Sequence, residues 1–307
     1  NAQTPVEPQG IDGVIEGRMK EAGLVGMGAA IIIDRKVAWS RGYGFANQQD
    51  AVRFTPDTVM NIGSISKTFT GVALMQAVED GKLSLDEDIN AYLPFKVVNP
   101  AFPDARITLR HLATHTSGIT DRWEVYQRSY HWGGDATEPL GEFLQGYLAV
   151  GGKDYTKDNF LPFKPGTHRD YSNIASGLAG YIVERAVGET LDTYTRQRIF
   201  KPLGMDRSGW LLSEIAPGAH STLYVGQGGF SVPIQWYGIT TYPDGGVRTS
   251  VSDLSRFFIA LLDGGQYEGK RILGASTVAE MLRFQYTEAN KPDNVLLNEK
   301  NSGIFWS

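Results

Sequence analysis

The chain has 307 residues, of which 41% are hydrophobic and 21% are charged. This composition is typical of a globular protein that buries a sizeable core, as one large domain or two interleaved ones. A formal net charge of −5, without a lysine or arginine cluster, gives no electrostatic footprint for nucleic acid, so we expect no nucleic-acid partner. The absence of cysteine excludes disulfides, zinc–thiolate sites and cysteine nucleophiles.

The first elements predicted along the chain are a helix and a strand hairpin. Residues 11–22 favour a helix, and two apolar runs, 26–33 and 37–43, flank a polar turn at 34–36 as the strands of the hairpin. The first of these runs includes the most apolar stretch of the chain, but it is too short to cross a bilayer. We therefore predict a buried strand there and no transmembrane segment.

The most informative stretch is residues 63–67 (GSISK), at the start of an apolar segment predicted to be helical over residues 64–80 and to stop at Gly81. Ser64 and Lys67, three positions apart, lie on one face of such a helix, so that the amine reaches the hydroxyl. A serine hydroxyl is a weak nucleophile at neutral pH unless a neighbouring group accepts its proton. Lysine accepts a proton only as the free amine, which partial burial favours.

The pattern S-x-x-K does not by itself decide between two interpretations. With this content of serine and lysine, about one match is expected by chance. The structural alternative is that Ser64 caps the helix and that Lys67 is a surface charge.

A second motif lies at residues 170–173 (DYSN), between the Pro- and Gly-containing loop 161–166 and the apolar segment 174–186. A tyrosine at a junction between loop and helix can transfer protons, and the amide of Asn173 can point at a substrate carbonyl. The alternative for Tyr171 is a buried structural tyrosine.

Together these motifs resemble those of a family that contains class C β-lactamases, serine-type D-Ala-D-Ala carboxypeptidases and family VIII-type esterases. The resemblance runs from about residue 24 to about residue 285. The stretches that carry it are 63–67 (GSISK), 81–86 (GKLSLD), 112–119 (LATHTSGI), 170–173 (DYSN) and 245–250 (GGVRTS).

The resemblance implies a fold and a division of the chain. The expected fold is α/β and β-lactamase/transpeptidase-like, an antiparallel sheet flanked by helices with an inserted all-helical domain. Residues 9–82 would form the N-terminal part of the α/β domain with the nucleophile helix, residues 83–285 the mainly helical domain with its connecting loops, and residues 286–307 the start of an incomplete C-terminal return to the α/β domain.

One departure from the family pattern concerns its third motif. No Lys-Thr-Gly or His-x-Gly follows residue 285. The family carries that motif on a strand that supplies half of the oxyanion hole. We therefore expect that the C-terminal strands of the sheet are missing from this chain or are supplied by another segment. The backbone N–H of Ser64 is expected to be the other oxyanion donor.

The resemblance also implies a function. Ser64 would be the acylated nucleophile, Lys67 and Tyr171 would accept its proton, and Asn173 would bind the substrate, with no metal and no cofactor. The substrate is expected to be a β-lactam, a D-Ala-D-Ala-type peptidoglycan peptide or a small ester. The alternative is a noncatalytic or slow penicillin- or peptidoglycan-binding module. The sequence leaves the substrate and the oligomeric state open.

The expected location is the periplasm or the extracellular space. The chain begins with Asn1 rather than methionine, which is expected if a signal peptide or lipoprotein leader has been removed.

Two further groups of residues each have two possible interpretations, one functional and one structural. Four aromatic residues between the motifs are expected either to line an acyl pocket or to belong to the core: Trp123, Tyr126, Tyr130 and Trp132. His111 and His115, four positions apart, match a metal-binding spacing on a helix, but they lack the accompanying glutamate, and a structural role is favoured.

Overall fold

The computed structural model describes residues 10–307, so the predicted boundary at residue 9 lies outside the described residues. The α-helices of the described part are α1 Ile11–Ala22, α2 Ser66–Glu79, α3 Leu109–Ala113, α4 Trp123–Tyr126, α5 Leu140–Leu148, α6 Asn173–Val187, α7 Leu191–Thr195, α8 Val251–Leu262 and α9 Ala275–Leu282. The strands are β1 Gly26–Ile33, β2 Lys36–Asn47, β3 Val52–Arg53, β4 Met60–Asn61, β5 Tyr130–Trp132, β6 Leu223–Gln227, β7 Phe230–Ile234, β8 Tyr237–Ile239, β9 Arg248–Thr249, β10 Gln266–Tyr267 and β11 Lys270–Arg271.

The strands form one three-stranded antiparallel sheet and several antiparallel pairs. The sheet has the order β1-β2-β3, and the pairs within the described residues are β4-β9, β5-β8, β6-β7 and β10-β11. The predicted hairpin is confirmed, but β2 begins earlier and ends later than expected. Asp34 and Arg35 both have positive φ, 49° and 63°, so Ile33 pairs with Lys36 across a two-residue turn.

A helix covers each face of this sheet. Met19 of α1 packs with Trp39 and Tyr43, whose side chains share one face of β2. On the opposite face Gly28 lies against α8, where a Cβ would lie 2.5 Å from the side chain of Val251. The described residues thus show the antiparallel sheet flanked by helices that the sequence predicts.

Helix α2 is the centre of the main hydrophobic core. Most of its side chains are buried, and Phe69 stacks on Phe257 of α8 with ring centroids 3.8 Å apart. Truncating such a buried aromatic side chain costs about 3 to 5 kcal/mol of stability. The predicted helix over 64–80 is split, because the 3-10 turn Gly63–Ile65 precedes α2. The predicted stop is confirmed by the left-handed backbone of Gly81, with φ 71°.

Helix α6 packs against α2, and the 3-10 turn Tyr242–Asp244 packs against both helices. Gly180 of α6 permits this contact, since a Cβ at that position would lie 2.3 Å from Cβ of Pro243. Three segments distant in sequence therefore meet at the N-terminal ends of α2 and α6.

In residues 10–307 no helix is both long and apolar enough to cross a membrane. The main hydrophobic cluster includes Phe69 of α2, Leu144 of α5 and Phe305 near the last described residue. The division at residues 82 and 285, the inserted helical domain and the missing C-terminal strands stay predictions.

Candidate active site

Ser64 lies on the tight turn that leads into α2. Gly63, the first residue of the 3-10 turn Gly63–Ile65, has φ 53°, in the left-handed backbone region that favours glycine. The turn leaves Ser64 exposed while the next helical turn is buried. The hydroxyl is thus presented to solvent at the positive end of a helix dipole.

Lys67 is buried, with 4% of its surface exposed, and its Nζ contacts three oxygen atoms. It donates to Ser64 Oγ at 3.2 Å, to Asn173 Oδ1 at 2.8 Å and to the backbone oxygen of Asp244 at 2.7 Å. The interpretation of Lys67 as an ordinary surface charge is therefore wrong.

The three contacts of Lys67 define what the amine can do. An ammonium group has three N–H donors, which matches three acceptors, whereas a free amine has two donors and one lone pair. In the free amine, Asn173 Oδ1 and the Asp244 carbonyl oxygen accept the two N–H groups. The lone pair is then left for the hydroxyl proton of Ser64.

Tyr171 lies on the other side of the same hydroxyl. Its phenol donates to Ser64 Oγ at 2.8 Å, and 39% of the residue is exposed. Lys67 Nζ lies 4.8 Å from the centre of the Tyr171 ring. The structure therefore brings the hydroxyls of Ser64 and Tyr171 and the amine of Lys67 into one hydrogen-bonded group.

The start of α6 orients Tyr171 and Asn173, and Asp121 organises that start. Its carboxylate accepts from the Ser172 hydroxyl at 2.7 Å and from the backbone N–H groups of Asn173 and Ile174 at 2.8 and 3.1 Å. Ser172 also caps the helix by accepting from the N–H of Ala175 at 2.9 Å. A carboxylate at a helix N-terminus is stabilised by the helix dipole. Sequence reasoning did not identify Asp121, although it follows the 112–119 motif by two positions.

His115 packs behind Tyr171, with ring centroids 4.4 Å apart. Its backbone has a positive φ of 59°, and its Nδ1 accepts from the N–H of Ser172 at 3.3 Å. Burial lowers the pKa of His115 to about 3, so the ring is neutral and Nε2 carries the hydrogen. His111 contacts a different group, since its Nδ1 accepts from the N–H of Thr108 at the start of α3. Among the described residues no cluster of His, Cys, Asp or Glu side chains could bind a metal ion.

A cavity of about 320 Å³ opens beside Ser64. Its lining is mostly apolar and includes Ile65, Phe258, Phe305 and Trp306. The four aromatic residues expected either in an acyl pocket or in the core are not among the residues that line this cavity. Tyr126 is in the core and Tyr130 packs against it, whereas Trp123 and Trp132 are 63% and 58% exposed.

The model of the family described as Beta-lactamase matches residues 11–297. The chain belongs to this family. The resemblance inferred from the motifs is thereby confirmed, and the four predicted site residues lie within the matched region.

Curated relatives of this Beta-lactamase family chain carry different activities in their names. A D-aminopeptidase from Brucella anthropi is 31% identical over 84% of this chain and 47% of its own length. A β-lactamase from Yersinia enterocolitica is 26% identical over 80% of this chain and 57% of its own length. The chain spans 44% to 59% of the length of three other curated relatives.

Solved structures show the same fold. The octameric penicillin-binding protein homologue from Pyrococcus abyssi superposes with a TM-score of 0.76 at 27% identity, covering 96% of this chain and 63% of that one. EstCE1, a hydrolase with promiscuous acyltransferase activity, gives a TM-score of 0.74 at 19% identity, covering 96% of this chain and 81% of that one. The fold of the chain is therefore the α/β fold of β-lactamases and transpeptidases, as predicted.

Proposed function

We propose that this chain is a serine hydrolase that forms a covalent acyl-enzyme on Ser64. The observation that carries the proposal is the hydrogen-bonded group in which Ser64 Oγ contacts both Lys67 Nζ and the Tyr171 hydroxyl. A nucleophile within hydrogen-bond reach of a base, with the base oriented by further groups, is the arrangement that acyl transfer requires.

In the acylation step, the free amine of Lys67 takes the hydroxyl proton of Ser64 while Ser64 Oγ bonds to the substrate carbonyl carbon. The carbonyl electron pair moves to its oxygen, which the backbone N–H of Ser64 stabilises as one oxyanion donor. When the intermediate collapses, the bond to the leaving group breaks, and the Tyr171 phenol donates the proton that the departing amine or alkoxide takes up.

Deacylation uses the same groups in the reverse direction. The Tyr171 phenolate left by the first step accepts a proton from water, and the resulting hydroxide attacks the ester carbonyl. Lys67 returns its proton to Ser64 Oγ as the acyl bond breaks, which regenerates the free enzyme. Throughout, Asn173 Oδ1 orients Lys67, and the amide nitrogen of Asn173 is available to a substrate carbonyl.

The expected substrates are β-lactams, D-Ala-D-Ala-type peptides and small esters. The relatives include proteins named as a D-aminopeptidase and a β-lactamase, so several acyl substrates are compatible with this family. A cavity of about 320 Å³ with a mostly apolar wall suits a compact acyl or alcohol group. We place its site of action in the periplasm or outside the cell; cell fractionation would test this.

A second candidate is a slow penicillin- or peptidoglycan-binding module. It is supported by the name of one solved relative, the penicillin-binding protein homologue from Pyrococcus abyssi, which is 27% identical to this chain. Such a module would acylate Ser64 and release the product slowly or not at all.

Steady-state rates on three substrates separate these candidates: a chromogenic β-lactam, a D-Ala-D-Ala dipeptide derivative and p-nitrophenyl butyrate. Turnover of any one of them that disappears in Ser64→Ala supports the hydrolase and identifies its substrate class. A stable adduct without turnover supports the binding module. Turnover that persists in Ser64→Ala would refute the assignment of the nucleophile.

A further inference from the structure

A second cavity, of about 510 Å³, lies close to the candidate active site but is separate from it. Thr114 and Thr116 line this second cavity, whereas His115, between them, lines the cavity beside Ser64. The two cavities share no lining residue. The proposed reaction uses none of the side chains that line the second one, so its function is unassigned.

The walls of the second cavity come from three segments that are hydrogen-bonded to one another. They are the end of α3 with the residues after it, the loop before α6 and the segment after α9. The backbone N–H of Gly166 donates to the carbonyl oxygen of Thr116 at 2.7 Å, and that of Asp293 donates to the carbonyl oxygen of Thr167 at 2.8 Å. These bonds form without a ligand, so the cavity is preformed, as sites for small molecules usually are.

His111 contributes an N–H donor to this cavity. Burial lowers the pKa of His111 to about 4, and its Nδ1 accepts from the backbone N–H of Thr108 at 3.2 Å, so Nε2 of the neutral ring carries the hydrogen. Nε2 has no hydrogen-bond partner among the described residues, and it faces Gly166, where a Cβ would lie 3.0 Å from it. Both residues line the cavity. An acceptor atom bound there would satisfy the N–H.

Lys164 and Lys291 bring positive charge to the same cavity from two different segments. Within residues 10–307 the amine of Lys164 has no ion pair and no hydrogen bond. The amine of Lys291 has one long contact, 3.4 Å to the carbonyl oxygen of Val295. Both ammonium groups are therefore available to a ligand.

The other charged side chains that line the cavity already have partners. Arg110 forms ion pairs with Asp86 at 2.7 Å and with Glu280 at 3.0 Å. The carboxylate of Asp293 accepts from Nδ1 of His168 at 2.6 Å. The groups that remain for a ligand are thus two cations and one neutral N–H donor, which together suit an anion.

We propose that this cavity binds a small anion, whose phosphate or carboxylate oxygens accept from His111 Nε2 and from the amines of Lys164 and Lys291. Hydrogen bonds between ammonium groups and such oxygens are charge-assisted and therefore strong. The apolar side chains of Pro165 and Ala289 leave room for an uncharged part of the same molecule. The proposal does not depend on acyl transfer at Ser64.

The first test is isothermal titration calorimetry of the whole chain with inorganic phosphate and with acetate, at constant ionic strength. One saturable site is expected for at least one of the two anions, and the tighter of them identifies the preferred oxygen group. Lys164→Met and Lys291→Met should each weaken binding about tenfold, the effect of losing one charge-assisted hydrogen bond. Lys157→Met is the matched control, because Lys157 is an exposed lysine that does not line the cavity, and its removal should leave the affinity unchanged.

The second test locates the anion with nitrogen-15 NMR spectra of histidine-labelled protein. The anion should shift the Nε2–H resonance of His111, assigned by its loss in His111→Gln, and leave that of His220 in place, since His220 does not line the cavity. If His111→Gln fails to fold, the two lysine variants still decide the question. Chain that a fluorophosphonate has labelled on Ser64 should bind the anion with the same affinity as free chain.

Three results would overturn the proposal. They are the absence of saturable binding of either anion to the wild-type chain, an affinity that neither lysine variant changes, and binding that is lost when Ser64 is labelled. The last result would place the anion in the cavity beside Ser64. A chain that turns over no substrate would contradict the proposed function but not this site.

Discussion

Ser64 and Lys67 have opposite environments, and this difference explains how a serine and a lysine can act as a pair. Ser64 is exposed at the tip of its turn, whereas Lys67 is buried below it and its amine contacts three oxygen acceptors. A substrate can reach the hydroxyl, while bulk water cannot readily solvate the amine.

Tyr171→Phe should slow turnover about 100- to 10,000-fold, the usual contribution of a general acid–base group. The phenol donates to Ser64 Oγ, while the ring contacts His115 and Lys67 and would remain in place. The fold should therefore be unaffected. Rates with a chromogenic substrate and far-UV circular dichroism check both statements.

The matched control is Tyr224→Phe, which removes a hydroxyl that is also hydrogen-bonded, to Gln48 and Gln49, but at the surface. An unchanged rate in Tyr171→Phe, or an equal loss in Tyr224→Phe, would remove Tyr171 from the mechanism.

Sequence motifs predict the site residues that lie close together in the chain. They miss residues whose role depends on contacts made in the tertiary fold. Ser64 and Lys67 are three positions apart, and Tyr171 and Asn173 are two apart, so a motif contains each pair. Asp244 meets Lys67 across 177 positions, and its carboxylate contacts a tyrosine 118 positions away. No local pattern encodes such contacts.

The site is assembled around Lys67 of α2 by three elements: the turn Gly63–Ile65, the start of α6 and the turn Tyr242–Asp244. Each contributes one polar group to Lys67, and the close approach of the turn depends on Gly180. A glycine in the middle of a helix lowers helix stability by about 1 kcal/mol relative to alanine, so its presence here is explained by packing.

Gly180→Ala should therefore destabilise the protein by about 1 to 3 kcal/mol, despite the better helix propensity of alanine. The added Cβ would lie 2.3 Å from Cβ of Pro243 and push the turn away from Lys67, so activity should fall as well. Chemical denaturation and steady-state rates measure the two effects.

Gly177→Ala, on the same helix, is the control. Its added Cβ would lie 3.4 Å from Cβ of Thr241, an ordinary contact. A stable and active Gly180→Ala variant would show that the turn does not need this close approach.

Long elements with a clear hydrophobic pattern could be predicted closely, whereas short strands could not. The helix predicted over 11–22 matches α1, and the apolar segment 174–186 lies within α6. By contrast, β4 has two residues and forms only because Met60 and Asn61 find Thr249 and Arg248 as partners. A strand of this kind is determined by a distant segment and leaves no periodicity to detect.

Several histidines are buried away from water in the folded protein. Burial lowers the pKa values of His111 and His220 from 6.5 to about 4 and that of His115 to about 3. The unfolded chain takes up these protons as the pH falls below 6.5, while the folded protein does not take them up until about pH 4 or lower. The free energy of unfolding contributed by these groups therefore falls as the pH drops through this window.

His220→Gln should make the pH dependence of stability less steep between pH 6.5 and 4. One proton fewer is then taken up on unfolding, which changes the slope by about 1.4 kcal/mol per pH unit. Denaturation midpoints measured across this range test the prediction. The raised pKa of Asp244 has the opposite effect on the pH dependence of stability, but this effect is the same in the wild type and the variant and cancels when the two are compared. Parallel curves for the two proteins would show that His220 is not buried in its neutral form.

At the scale of the whole molecule, the motifs were sufficient to identify the family, because their order along the chain is itself informative. The resemblance from about residue 24 to 285 lies within the matched region 11–297. The apolar residues that line the cavity beside Ser64 were not predicted. Phe258 and Trp306 reach it from α8 and from the last described segment, and their approach depends on how α2 packs in the core.

The central claim, that Ser64 is the nucleophile, is tested most directly by intact-mass spectrometry after incubation with a fluorophosphonate and with a fluorescent penicillin. The account predicts one added label on the wild-type chain, located by peptide mapping to Ser64, and none on Ser64→Ala. A label that survives in Ser64→Ala, or a wild-type chain that neither reagent modifies, would contradict it.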